Sequence, residues 1–492
     1  MKTLYVTLLS IFFGAFALTA QTPAKKTTAA PATEMKFHLS GLTNCNILLA
    51  HYYANQNRIV DTGKVDDKGN VVFRKSEVYP GGIYLVVFPS KRFFEVIVAD
   101  DQTFTIDVVD TNEIINNIKV NGSDENTAFY EYQRFLLKEQ RRVEPLQNAL
   151  KGAKERDNKD SITLLQKQIA VIDSGVKVYR RSYYKEKYPT LFMSKVFAGM
   201  DEPDPITLEM CPKKEDGTID SNFRYRHFKE HYWDGYDWND ERLIRTPVFY
   251  NKMKYYLEKL THPHVDSQIV AVTWVIEKTR PAKEVFKYAI SYNTYTYETS
   301  KIMGYDKVFV HLVNTYYRTN QCWWVGEEQK GKILKRADQL SFVIIGNPAI
   351  NIQLQDSTGK TIPLQNVKAK YTAVIFWDPT CGHCKTDIPM LKAYYDSLKT
   401  AGHSFEVYAV YSELDYKTWR AFVKEKKLNW INVCGKDAQQ LGTAKYYYDV
   451  HSTPTLVLLD ENKKIIAKRF DVSNMKPFLN RRLEEEKKAG AK

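Results

Sequence analysis

Hydrophobic and polar positions change rhythm twice along this chain. From Lys36 to about Asn121 the apolar residues come in short runs, many alternating with polar ones: Lys36–Ser40, Asn46–Tyr53, Val71–Lys75, Ile83–Phe88, Phe93–Val98 and Phe104–Val109. Side chains of a strand point alternately to its two faces, so these runs mark strands with one face or both buried. Asp66-Asp67-Lys68-Gly69-Asn70 and Pro80-Gly81-Gly82 separate them with residues suited to chain reversal. The pattern predicts an antiparallel β-sandwich over residues 36–121.

From there to about Leu340 the period lengthens toward 3.6. Phe129, Tyr132, Phe135 and Leu136 share one face, Leu146 and Leu150 stand one turn apart, and Leu165, Ile169 and Ile172 repeat the spacing. Val248–Leu260, Ser267–Lys278 and Lys283–Tyr297 read as further helices, with loops at Asp201–Pro205 and Cys211–Gly217. Residues 122–340 are therefore expected to form a mainly α-helical domain. Beyond Gly346-Asn347-Pro348 the two periods interleave: Ala373–Trp377, Phe405–Tyr411, Thr455–Asp460 and Lys464–Phe470 are strand-like, and Cys384–Lys399, Tyr416–Lys426 and Ser473–Lys487 helix-like. Residues 341–492 are expected to be an α/β domain with a mixed sheet.

Composition changes this picture little. At 492 residues the chain exceeds one compact core. Its formal net charge is +13, but Lys and Arg are interleaved with Asp and Glu in segments such as Lys151–Asp160 and Arg481–Lys488. No long one-sign block offers a nucleic-acid track, so no nucleic-acid partner is expected. Lys2 followed by the apolar stretch Leu4–Leu18 and a small residue at Ala20 reads as an export signal over residues 1–20, with a Thr/Ala/Pro/Lys-rich linker over 21–35. That places the protein in the periplasm or cell envelope, where disulfides persist. Four of the six cysteines, Cys45, Cys211, Cys322 and Cys434, are scattered.

The chemistry sits where a strand-like run meets a helix-like one, in Phe376-Trp377-Asp378-Pro379-Thr380-Cys381-Gly382-His383-Cys384. A cysteine at the start of a helix faces unpaired backbone N–H groups, which favour thiolate over thiol, and the thiolate is the form that attacks disulfides. Cys384, one turn in, is expected to be shielded and to resolve the mixed disulfide. Gly382 leaves room for a partner chain, and His383 can set a donor or positive charge beside Cys381. Zinc would need two further ligands, and none follows at finger spacing. His227-Phe228-Lys229-Glu230-His231 fits a zinc-peptidase pattern, with both imidazoles on one helical face. It is a short pattern in a basic neighbourhood, and no metal site is expected. Trp323-Trp324 reads as core.

On these residues the segment Gly346–Lys488 resembles the thioredoxin fold, and within it the TlpA/ResA-type thiol-disulfide oxidoreductases exported by bacteria. The resemblance implies that Thr453-Pro454-Thr455 is a cis-proline loop, with Thr453 and Pro454 pairing with substrate backbone. It also matches Trp377 to the aromatic before the redox motif, assigned here to the substrate-binding set, and Pro389 to a helix-kinking proline. Ile375 replaces the buried acid of thioredoxin itself; Asp387, three residues past the motif, takes the place of the acid in the TlpA/ResA group and is expected to assist Cys384. The three-part order resembles Gram-negative envelope proteins with a β domain and a helical domain before the redox domain. The expected activity is dithiol/disulfide exchange with protein substrates, supplied by an upstream electron donor and needing no dissociable cofactor. A partner-binding scaffold built on the same domain is the alternative, a metallopeptidase on His227 and His231 a third. Homo-oligomerisation is left open by the sequence.

Overall fold

The computed structural model describes residues 32–490; the expected export signal and all but the end of the linker lie outside them. The chain divides into two compact units, Met1–His262 with Glu277–Phe286, and Pro263–Ile276 with Lys287–Lys492. The division therefore falls inside the helical stretch and not at its ends.

The first unit begins with eight strands: β1 (Thr33–Leu39), β2 (Asn46–Tyr53), β3 (Gln56–Lys64), β4 (Asn70–Lys75), β5 (Gly82–Val87), β6 (Phe93–Val98), β7 (Thr103–Val108) and β8 (Ile118–Asn121). They form two four-stranded sheets, β4-β1-β7-β8 and β3-β2-β5-β6. Pairing is antiparallel except between β1 and β7, which run parallel. In β1 every second residue, Thr33, Met35, Phe37 and Leu39, is buried, the period-two pattern made physical. Phe37 meets Phe73, Phe94 and Phe104 edge-on at 5.9–6.3 Å between centroids, the geometry ring quadrupoles favour.

A one-turn helix α1 (Ile114–Asn117) precedes β8, and α2 (Asp124–Glu155) comes after it. Ser123 caps α2 through the Asn126 N–H, and the buried Asn126 amide bonds both backbone groups of Ile97, at 2.8 Å each, fixing the helix to β6. α3 (Lys159–Ser182) packs back on α2 through Val143, Leu150, Ile169 and Ile172. α4 (Phe192–Met200), α5 (Phe223–Glu230) and α6 (Val248–Lys259) complete this stretch, and α7 (Val265–Lys278) and α8 (Lys283–Glu298) cross the division. The rings of His227, in α5, and His231, just past its end, lie 4.4 Å apart, and His231 Nδ1 is 2.8 Å from the Asp234 carboxylate. Among the described residues no group of three or more His, Cys, Asp or Glu side chains is arranged to hold a metal ion.

The second unit carries α9 (Asp306–Leu312) and α10 (Glu327–Ser341), then the C-terminal sheet. Trp323, expected in the core, is 59% exposed, because it lies in the loop before α10 and not on a helix face. The sheet comprises β9 (Gln353–Gln355), β10 (Thr361–Pro363), β11 (Tyr371–Trp377), β12 (Phe405–Tyr411), β13 (Ile431–Cys434), β14 (Thr455–Leu459) and β15 (Ile465–Lys468), in the order β10-β9-β13-β12-β11-β14-β15. Strands β11, β12 and β13 are parallel; β14 runs antiparallel to β11 and β15 to β14. All seven residues of β11 are buried, as expected of a strand covered on both faces.

Alternate β11 side chains sort the helices. Ala373, Ile375 and Trp377 join the core shared with α11 (Gly382–Thr400), α12 (Tyr416–Glu425) and α14 (Val472–Gly490), through Ile388, Leu391, Trp419, Met475 and Leu479 among others. On the other face Phe376 packs against Tyr448, just past α13 (Ala438–Tyr447), with ring centroids 5.4 Å apart. The turn that carries the chain from β11 into α11 comes to the surface, with Thr380 and Gly382 exposed.

Candidate active site

Leaving β11, the chain turns at Asp378, whose carboxylate accepts from the Thr380 N–H at 2.9 Å and the Thr380 hydroxyl at 2.7 Å. The Cys381 N–H closes the turn on the Asp378 carbonyl at 3.1 Å. Cys381 itself is extended (φ −69°, ψ 129°) and occupies the N-cap of α11, so its sulfur lies over the first N–H groups of that helix. The Cys381 thiol is pulled down to about 7, chiefly by the Cys384 N–H, then by the Thr453 hydroxyl, with the His383 N–H also contributing. The helix end thus does most of what the sequence suggested for the His383 ring. That imidazole bears instead on Asp387, one turn further on.

Cys384 is fully buried. Burial pushes its thiol up to about 12, although the Asp378 N–H reaches its sulfur at 3.5 Å. Two sulfurs one turn apart therefore differ widely in acidity, one exposed enough to react and one withheld. Asp387 is half-buried, and burial together with the nearby Asp471 charge raises its carboxyl, with His383 partly opposing. A raised carboxyl is a better proton acceptor for a thiol than an ordinary one.

Opposite the pair, the Thr453–Pro454 peptide bond is cis, and the Thr453 carbonyl accepts from the Cys381 sulfur at 3.3 Å. Thr453 and Pro454 are half-exposed. Nothing lies within 4 Å of where a Gly382 side chain would stand, so an extended peptide can come close there. Trp377 does not belong to the substrate-binding set. It is fully buried, 5.2 Å from the Phe422 ring and 6.4 Å from Tyr411, because its place at the end of β11 points it into the core beneath the dithiol. Cys434 is buried in the same core, its thiol 3.5 Å from the Gln355 carbonyl and raised to about 11 by burial, away from the exchange chemistry. A cavity of about 260 Å³ lies at the other end of β11, lined by Tyr371, Phe405, Leu479 and Glu486 among others.

Sequence reasoning missed Asp378, Asp471 and the loop from Asp449 to Ser452. A carboxylate just ahead of a helix-starting cysteine, able to cap the turn, was the available signal for Asp378; nothing local marked the others.

A cysteine pair at the strand-to-helix junction of this mixed sheet, facing a cis-proline loop, defines the C-terminal region as a thioredoxin-like domain. In agreement, residues 345–468 match the AhpC/TSA family, and residues 218–341 match a domain of unknown function, DUF5106. The chain is 31% identical over 121 residues to the thiol-disulfide oxidoreductase ResA of Bacillus subtilis, covering 25% of this chain and 64% of that protein. It is 26% identical to ResA of Halalkalibacterium halodurans, covering 25% and 65%. The match thus spans less than two thirds of either relative's length. Among solved structures, a domain of possible thiol-disulfide isomerase from Cytophaga hutchinsonii is 36% identical, covering 30% of this chain and 97% of that one, with a TM-score of 0.27. A thioredoxin-like protein from Bacteroides caccae is 21% identical, covering 56% and 98%, with a TM-score of 0.43.

Proposed function

We propose that this chain is an exported thiol-disulfide oxidoreductase that exchanges the Cys381–Cys384 dithiol or disulfide with protein substrates in the periplasm or cell envelope. The observation that carries this reading is the Cys381 sulfur, held at a helix N-terminus with a thiol near 7, open on the Gly382 side and faced by Thr453. A thiol that ionises near neutral pH combines a useful thiolate fraction with retained nucleophilicity.

In the reducing direction the Cys381 thiolate attacks one sulfur of a substrate disulfide. A new S–S bond forms as the substrate's bond breaks, and the departing thiolate takes a proton from solvent. Thr453 and Pro454 hold the substrate strand. Asp387 accepts the Cys384 proton, and Cys384 attacks the Cys381 sulfur and expels the second substrate thiolate, which is protonated in turn. The substrate has gained two electrons and two protons, and the chain retains a Cys381–Cys384 disulfide. An upstream dithiol donor restores it by the same steps reversed. Isomerisation uses the first attack alone, with a second substrate thiol resolving the intermediate.

The experiment is insulin-disulfide reduction with a dithiol donor. Turnover by the wild type that disappears in Cys381→Ser supports the enzyme. Undiminished partner binding by that variant, with no turnover by the wild type, replaces it with a scaffold.

A further inference from the structure

The cis-proline loop is anchored from outside the thioredoxin-like sheet. It leaves α13 at Asp449, a non-glycine residue in the left-handed region (φ +54°) whose side chain is only 7% exposed. Burial alone would raise that carboxyl, but hydrogen bonds from Arg336 and Arg469 outweigh it and hold it below the usual range. Arg336, on α10, grips both Asp449 oxygens; its second nitrogen lies 3.2 Å from Oδ2, and its first also reaches the His451 ring at 3.1 Å. Arg469 adds a bond at 2.9 Å. A planar guanidinium holding a carboxylate by two nitrogens fixes orientation as well as distance, which a lysine cannot do.

Three further contacts pin the same helical segment beside the loop. Phe342 packs its ring against Tyr447 and Tyr446, at 4.9 and 6.0 Å. Lys468, next to Arg469, forms an ion pair with Asp306 of α9 in which the two side chains are 3% and 2% exposed. Met303 packs against the redox-domain core. Arg336 and Asp306 both fall in residues 218–341, the stretch matched to a domain of unknown function.

We propose that Arg336 is a positioning residue for the exchange reaction: by holding Asp449 and His451 it fixes the loop that sets Thr453 against the Cys381 sulfur. The helical segment is then a brace for the redox site. This rests on the functional reading above. Thr453 touches Cys381 through its carbonyl and bears on both sulfurs through its hydroxyl, so a loop released at Asp449 loses registration with both.

The test uses the full chain and follows iodoacetamide alkylation of Cys381 against pH by mass spectrometry. In Arg336→Met the alkylation midpoint is expected to rise, with a roughly threefold loss of rate near pH 6, and KM for insulin to rise more than kcat falls. Arg336→Lys, keeping charge without the two-pronged hold, recovers part of the loss. Asp449→Asn, close to isosteric, moves the midpoint the same way and serves if Arg336→Met does not fold. A wild-type midpoint in folded Arg336→Met and Asp449→Asn overturns the brace, whatever the turnover. Failure of wild-type turnover overturns the functional reading instead, and the alkylation comparison still decides the role of Arg336.

Discussion

Cys381 and Cys384 stand one helical turn apart, and the first is held near 7 while the second is driven to about 12. The separation has two distinct causes: N–H groups at the start of α11 stabilise one thiolate, and the apolar core destabilises the other.

On the proposed mechanism, that separation sets the order of events. Cys384→Ser should accumulate a covalent complex between Cys381 and a substrate cysteine, visible as a thiol-sensitive band on non-reducing gels and absent in Cys381→Ser. A Cys384→Ser variant that turns over at the wild-type rate would mean that Cys384 does not resolve the intermediate.

Stability of the reduced protein should also depend on these two thiols. A thiol lowered on folding stabilises the folded state fully above its unfolded value, about 9, and that contribution fades as pH falls through 7. The raised Cys384 acts oppositely: its contribution is present below about 9 and fades as pH climbs toward 12. Urea unfolding of Cys381→Ala, compared with wild type under reducing conditions, should show a deficit at pH 8.5 that shrinks toward pH 6. A deficit that grows on acidification would reverse the sign assigned to Cys381.

Asp387 and the His383 ring should act on different steps. In Asp387→Asn the alkylation profile of Cys381 stays close to wild type, while decay of the mixed disulfide in stopped-flow slows by about tenfold or more. His383→Ala should leave the alkylation midpoint nearly in place, because the backbone N–H survives the substitution. A large upward move in His383→Ala would restore the imidazole as the main source of thiolate stabilisation.

The Asp306–Lys468 pair offers a test of packing. Removing one partner of a buried ion pair leaves the other uncompensated, so Asp306→Leu should cost about 3–5 kcal/mol in urea unfolding. Asp306→Leu with Lys468→Met should regain most of it. Additive losses in the double variant would show that the two charges are separately solvated.

The dithiol was legible because the strand, turn and helix start that carry it are contiguous, whereas Thr453, which also bears on Cys381, lies 72 residues away. Period-two and period-3.6 runs likewise marked most strands and helices. Strand β3 escaped notice because Gln56–Lys64 is an edge strand whose side chains are mostly exposed, so no apolar alternation was needed to form it. β13, with four residues, is shorter than a periodic signal. Trp377 was assigned to the substrate-binding set by resemblance alone, and a strand covered on both faces buries it whichever face it takes. The loop brace was illegible for a different reason: Arg336 and Asp449 are 113 residues apart, and Asp306 and Lys468 162. Charged residues at such separations carry no mark of their future partners.

The proposed exchange requires that the chain avoid trading disulfides with itself. Cys211, Cys322, Cys384 and Cys434 are all buried, with Cys322 raised to about 12 and Cys434 to about 11 by the loss of water around them. At neutral pH those two raised thiols are almost wholly protonated, so burial quiets them, while Cys45 is only half-buried. Selectivity here comes from concealment as much as from activation.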